Sequence, residues 1–75
     1  MTSNDRSKLD QLLEACGVSE EDYCADAMCD SVIMGICMNP CCSYTREVET
    51  DASSSHCEVC NTATVRSGLV ILGLI

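Results

Sequence analysis

Two cysteine pairs carry the chemistry available to this sequence. Cys37-x4-Cys42 is followed, after fourteen residues, by Cys57-x2-Cys60. Two close pairs separated by a loop can fill the tetrahedral shell of one zinc ion with thiolates. A Cys-x2-Cys turn suits this because both sulfurs face one side and the N–H groups of the turn can point at them. Asn39-Pro40 supplies a turn signal inside the first pair. That pair also reads as Cys37-x3-Cys41; Cys42 is preferred because it stands before the strand-like segment at Tyr44. His56, beside Cys57, is an alternative ligand in a Cys3His site, although the neighbouring Ser53–Ser55 run reads as exposed loop. An iron–sulfur cluster on the same four cysteines is the other metal reading. The expectation is one zinc ion per chain on Cys37, Cys42, Cys57 and Cys60.

Four thiolates close the shell, whereas a catalytic zinc keeps a position open for water. The chain has one histidine and no base placed to activate a nucleophile. A redox role for Cys57-x2-Cys60 lacks the usual βαβ context. No catalytic residue is expected, and the protein reads as a non-enzyme. Cys16, Cys24, Cys29 and whichever of Cys41 and Cys42 is spare read as core thiols, since Cys24 and Cys29 do not face the same way on a helix.

The elements that must position the cysteines have little core to draw on. The 75 residues include no Trp and no Phe, only Tyr23 and Tyr44. A chain this short is often near zero net stability without a staple, and a bound metal is a suitable one. Eight cysteines would mean disulfides in a secreted protein. The opening MTSNDRSKLDQLLEACG, however, has no basic start, apolar core or small-residue cleavage site. Reduced thiols and a cytoplasmic location are expected. The longest apolar run, 68–75, is too short to span a bilayer.

Net charge is −8. Residues 1–34 carry eight acids against Arg6 and Lys8, a net of −6; residues 35–75 carry four acids against Arg46 and Arg66, a net of −2. With no basic patch to displace counterions, nucleic-acid binding is not expected. The fitting partner is a protein with a basic surface.

Residues 1–34 read as an acidic helical segment. Ser3 or Asn4 caps a first helix, with Asp5 in its first turn and Gly17 just past its end. Leu9, Leu12, Leu13 and Cys16 share one face. A second helix starts at Ser19, with Val18 packing on Tyr23, and fades near Asp30-Ser31; Tyr23, Ala27 and Asp30 share a face. Residues 35–75 carry the cysteine turns. The run Val32–Ile36, interrupted by Gly35, reads as an extended approach to the metal site. Tyr44–Glu49 and Thr62–Val65 read as strands, and Thr50–Ser55 as a polar loop. Ser67 caps a short helix over 68–75, with a continued strand as the alternative; Leu69, Val70, Ile71, Leu72, Leu74 and Ile75 there are too apolar to stay in water as a group. They should meet the Leu9/Leu12/Leu13 face, with Leu74 or Ile75 left to contact a second copy or a larger assembly.

Residues 37–60 resemble the zinc-ribbon family, in which two cysteine turns bracket a β-hairpin. The wider stretch 35–75, with GICMNPCCSYTREVE, HCEVCNTATV and SGLVILGLI, is similar to small zinc-ribbon-like proteins of bacteria and their phages. The resemblance covers about the C-terminal half and implies a zinc site and a ribbon hairpin there; the first two helices are not part of it. Together with those helices, the expected fold is small α+β: two N-terminal helices, a ribbon hairpin and an apolar C-terminal segment in one compact domain. The ribbon motif is specific for metal and fold and not for function; the acidic charge and the lack of a catalytic constellation give the expected function, a non-enzymatic protein-interaction module or accessory regulator in a bacterial cytoplasm, or in the host cytoplasm if phage-encoded. The rival expectations are a nucleic-acid-associated ribbon and a structural component of a larger assembly. Ribbon turns commonly carry Gly after the second cysteine; here it is Asn61, which tolerates the left-handed conformation.

Overall fold

The computed structural model describes residues 2–29 and 31–74. Asp30, expected on the Tyr23 face, and Ile75, expected in the apolar tail, lie outside them. The fold is small α+β, with two N-terminal helices followed by a four-stranded antiparallel sheet.

Helix α1 spans Ser3–Cys16. Thr2 caps it, in place of the expected Ser3 or Asn4. Its extended backbone brings the hydroxyl to the Asp5 N–H at 3.1 Å, while the Asp5 carboxylate accepts the Thr2 N–H at 3.2 Å. That reciprocal pair satisfies two orphan donors and fixes the start one residue early. Gly17 ends the helix at φ 69°, where its N–H reaches the carbonyls of Leu13 and Glu14. Leu9 and Leu12 are buried; Leu13 and Cys16 pack beside them. Helix α2 spans Glu20–Cys29 and is capped by Ser19, whose hydroxyl accepts the Asp22 N–H. Its inward residues are Tyr23 and Ala27.

Strands β1 (Val32–Cys37), β2 (Thr45–Glu49), β3 (Ser55–Cys57) and β4 (Thr62–Ser67) form a sheet in the order β2-β1-β4-β3. This corrects the expected single hairpin of the Tyr44–Glu49 and Thr62–Val65 strands. Those two strands do not pair; β1 lies between them, opposite Thr45–Glu49 on one side and Val65–Ser67 on the other. An apolar run with β-branched Val32, Ile33 and Ile36 suits a strand paired on both sides. Gly35 does not interrupt it: a side chain there would lie 2.7 Å from the Arg66 carbonyl and 2.8 Å from Val48, so the strands meet closely only at glycine.

The C-terminal helix α3 is one turn, Gly68–Ile71, shorter than the expected 68–75. Ser67 caps it as expected. Chain reversal at Gly73, φ 77°, then ends it by returning the Leu74 N–H to the Leu69 carbonyl. Leu69 and Ile71 join Leu9, Leu12, Tyr23, Ala27, Ile33 and Ile36 in the main core, and Leu72 packs against it. The tail therefore meets the α1 face as expected. Leu74 is exposed, as single surface leucines commonly are. A second cluster, Cys37, Val48, Cys57 and Val65, lies around the cysteine turns.

Tyr23 joins three elements. Its hydroxyl donates to the Met34 carbonyl of β1 and accepts the Gly68 N–H at 2.8 Å. Its ring so closely covers Gly68 that an added Cβ would lie 2.5 Å from it. Burial pushes the phenol up to about 12, against a smaller opposing effect of the Gly68 N–H. Because the folded state holds the proton more tightly, this anchor is complete below pH about 10 and is lost as pH rises toward 12. Tyr23→Phe leaves two inward backbone groups without their partner. It is expected to cost ~2 kcal/mol in urea unfolding of the metal-loaded protein, and a loss within 0.5 kcal/mol of zero, roughly the surface-substitution range, would refute this anchoring.

Candidate metal centre

Each cysteine pair sits at the tip of its own hairpin. Cys37 ends β1 and Cys42 stands shortly before β2; Cys57 ends β3 and Cys60 stands before β4. Pairing of β1 with β4, which sets Cys37 opposite Val65, lays the two hairpins side by side and points both tips one way. All four Sγ atoms lie within 4.8 Å of one another. The contacts between the two turns, Cys37–Cys60 and Cys42–Cys57, are both 3.8 Å. A tetrahedron with ~2.3 Å metal–sulfur bonds has edges of about 3.8 Å. The sulfurs are free thiols, and these separations are far beyond a disulfide bond. The donor set therefore fits one tetrahedral metal ion.

The turns aim N–H groups at the sulfurs. The Cys60 N–H donates to Cys57 Sγ at 3.3 Å, and the Asn61 N–H closes the turn on the Cys57 carbonyl at 2.7 Å. Asn61 takes φ 56°, the left-handed conformation expected of it. In the first turn the Cys42 N–H reaches the Asn39 carbonyl at 3.0 Å, and Cys37 pairs through its backbone N–H with the Tyr44 carbonyl at 2.8 Å. Thr64 Oγ1 lies 3.1 Å from Cys37 Sγ.

Electrostatics separates the thiols. Burial pushes Cys37 up, but donors from Thr64 and Asn39 and the adjacent Cys57 and Cys42 thiols outweigh it and bring it down to about 7. The Tyr44 N–H favours the Cys42 thiolate, yet burial and the sulfurs of Cys60, Cys37 and Cys57 outweigh that and raise Cys42 to about 12. Without a cation, one thiolate forms readily and hinders its neighbours. A divalent ion reverses this by supplying the opposite charge.

Cys41, the alternative ligand, is exposed and outside the cluster. His56 is exposed in β3, where its backbone carbonyl accepts Arg46 at 3.1 Å. Cys16 and Cys24 pack against the core as expected. Cys29 and Cys41 do not: both are exposed, because α2 turns Cys29 outward and only one of two adjacent turn cysteines can face the cluster.

Two polar side chains of α1 hold the first turn, and the sequence reading missed both. Asn4 donates to the Met38 carbonyl at 3.1 Å, and Lys8, 1% exposed, donates to the Cys42 carbonyl. The available signal was spacing: Lys8 stands four residues before Leu12 and beside Leu9, on the margin of the apolar face.

No family model, curated protein or solved structure matches this chain. Among the described residues no helix is long and apolar enough to cross a membrane.

The geometry distinguishes the two adjacent cysteines of the first turn. Cobalt(II) titration should give the intense thiolate charge-transfer bands of a four-sulfur site in the wild type and in Cys41→Ser. In Cys42→Ser, those bands should be weakened and shifted. Equal spectra for Cys41→Ser and Cys42→Ser would contradict this ligand assignment.

Proposed function

We propose that this protein is a non-enzymatic zinc-binding module of the ribbon type. Its metal centre supports the fold, and its acidic helical layer meets a basic surface on a protein partner. Sulfurs drawn this close suit a single ion, because the bridging sulfides of a multi-iron cluster would hold the cysteines further apart. Zinc is favoured for a closed four-thiolate shell in a structural role. Unpaired thiols throughout the chain agree with a reducing cytoplasm.

The observation that carries the interaction reading is the use of the side-chain cations. Arg6 pairs with Asp10 at 3.3 Å and Glu20 at 3.4 Å. Lys8 is buried on the Cys42 carbonyl, Arg46 donates to the His56 carbonyl, and Arg66 to the Ser53 carbonyl at 3.3 Å. Arg46 and Arg66 thus secure one stretch of chain rather than forming a phosphate site. Asp10, Glu14, Glu20, Glu21, Asp22 and Asp26 remain exposed on the helices. A surface of one sign steers association with a basic partner and repels phosphate.

Charge reversal tests this directly. The zinc-loaded chain, immobilised, should retain basic proteins from its native cell extract in a salt-sensitive way, and Glu21→Lys/Asp22→Lys/Asp26→Lys should release them. Retention unchanged by the triple reversal would refute the acidic-surface reading. The wild type should give no gel shift with duplex DNA or RNA at about 150 mM salt; a micromolar shift would favour a nucleic-acid-associated ribbon instead.

A further inference from the structure

Lys8 is the chain's one lysine and is almost wholly buried. Its ammonium carries unit charge and three donors, and the partner it meets is the neutral Cys42 carbonyl. A buried cation held only by a neutral dipole is poorly compensated. Both ion pairs among the described residues belong to Arg6, so no carboxylate there neutralises Lys8. Cys42, however, belongs to the cysteine cluster. A divalent ion on four thiolates leaves a net charge of about −2 at that cluster.

We propose that Lys8 is the counter-ion of the loaded cysteine centre and latches helix α1 to it. It is a positioning residue: it touches the turn that carries the ligands and not the ion. Asn4, one helical turn earlier, grips the Met38 carbonyl of the same turn, so two side chains of one face hold the segment between Cys37 and Cys42. With the ion bound, those carbonyls are fixed and the ammonium has its counter-charge. When the ion leaves, no metal–sulfur bond ties the two hairpin tips together, and the Met38 and Cys42 carbonyls that Asn4 and Lys8 grip are no longer fixed. Lys8 then gains by moving to water, and the first turns of α1 loosen. Because α1 carries part of the acidic surface, metal occupancy governs how that surface is presented. This inference rests on the metal reading of the centre.

The unmodified chain provides the first test, since Lys8 and the α-amino group are its only amines. Acylation by an amine-reactive reagent, followed by mass spectrometry, compares zinc-loaded with chelator-stripped protein. Zinc should slow modification of Lys8 by about tenfold or more; equal rates overturn the latch. The second test separates charge from mere tethering. Lys8→Met keeps the buried stem and removes the charge, whereas Asn4→Ala removes a neutral tie. Competition with a chromophoric chelator should show zinc affinity weakened by about tenfold or more in Lys8→Met, and by less in Asn4→Ala. Unchanged affinity in Lys8→Met, or equal losses in both variants, overturns the charge role. In iron-substituted protein, one-electron reduction makes the centre more negative, so Lys8→Met should lower the potential; an unchanged potential also counts against the proposal. Should a variant not fold, the acylation comparison decides. A wild-type chain that binds no zinc refutes the metal reading itself, while normal zinc binding with equal Lys8 reactivity refutes only the latch.

Discussion

Bringing four sulfurs within 4.8 Å of one another fixes the relative position of two hairpin tips, and the sheet register, helical layer and C-terminal turn are arranged around that constraint. Thiols this close do not attract one another. Their ionisations compete, which lowers Cys37 and raises Cys42. A cation at the centre would make the arrangement favourable, together with N–H groups at the sulfurs. For a chain with no Trp or Phe, such an ion would also add stability, since the binding free energy of a structural zinc is folding free energy, on the order of 10 kcal/mol.

The two apolar clusters divide the remaining work. The smaller, around Val48 and Val65, lies beneath the cysteine turns and aligns the hairpins. The larger joins α1, α2, β1 and α3, with Tyr23 tying α2 to β1 and to the start of α3 through one hydroxyl. Helix α1 belongs to both regions: its leucines enter the larger core, and Asn4 and Lys8 reach the turn between Cys37 and Cys42. Loosening the metal centre therefore acts on a helix whose outer face is acidic. In the account proposed here, stability and interaction are coupled through that helix.

Features governed by neighbours in sequence were legible. The Leu9/Leu12 face, the Gly17 terminus, the Ser67 cap and the left-handed Asn61 follow from local geometry, and the spacing of the four cysteines anticipated their meeting. Features governed by long-range pairing were not. Val32–Cys37 became an inner strand because it found partners on both sides, which periodicity within one segment does not encode. The burial of Lys8 was not legible either, because its acceptor is a backbone carbonyl 34 residues away. The early end of α3 depends on a reversal at Gly73 rather than on the apolar pattern before it.

The central claim is that a single metal ion sits among Cys37, Cys42, Cys57 and Cys60. X-ray absorption at the zinc edge, on protein purified without added metal, tests it most directly. The account requires about one zinc per chain with a shell of four sulfurs at ~2.3 Å and no metal neighbour. A shell containing nitrogen or oxygen, a short metal–metal distance, or a cooperatively folded protein without metal would contradict it.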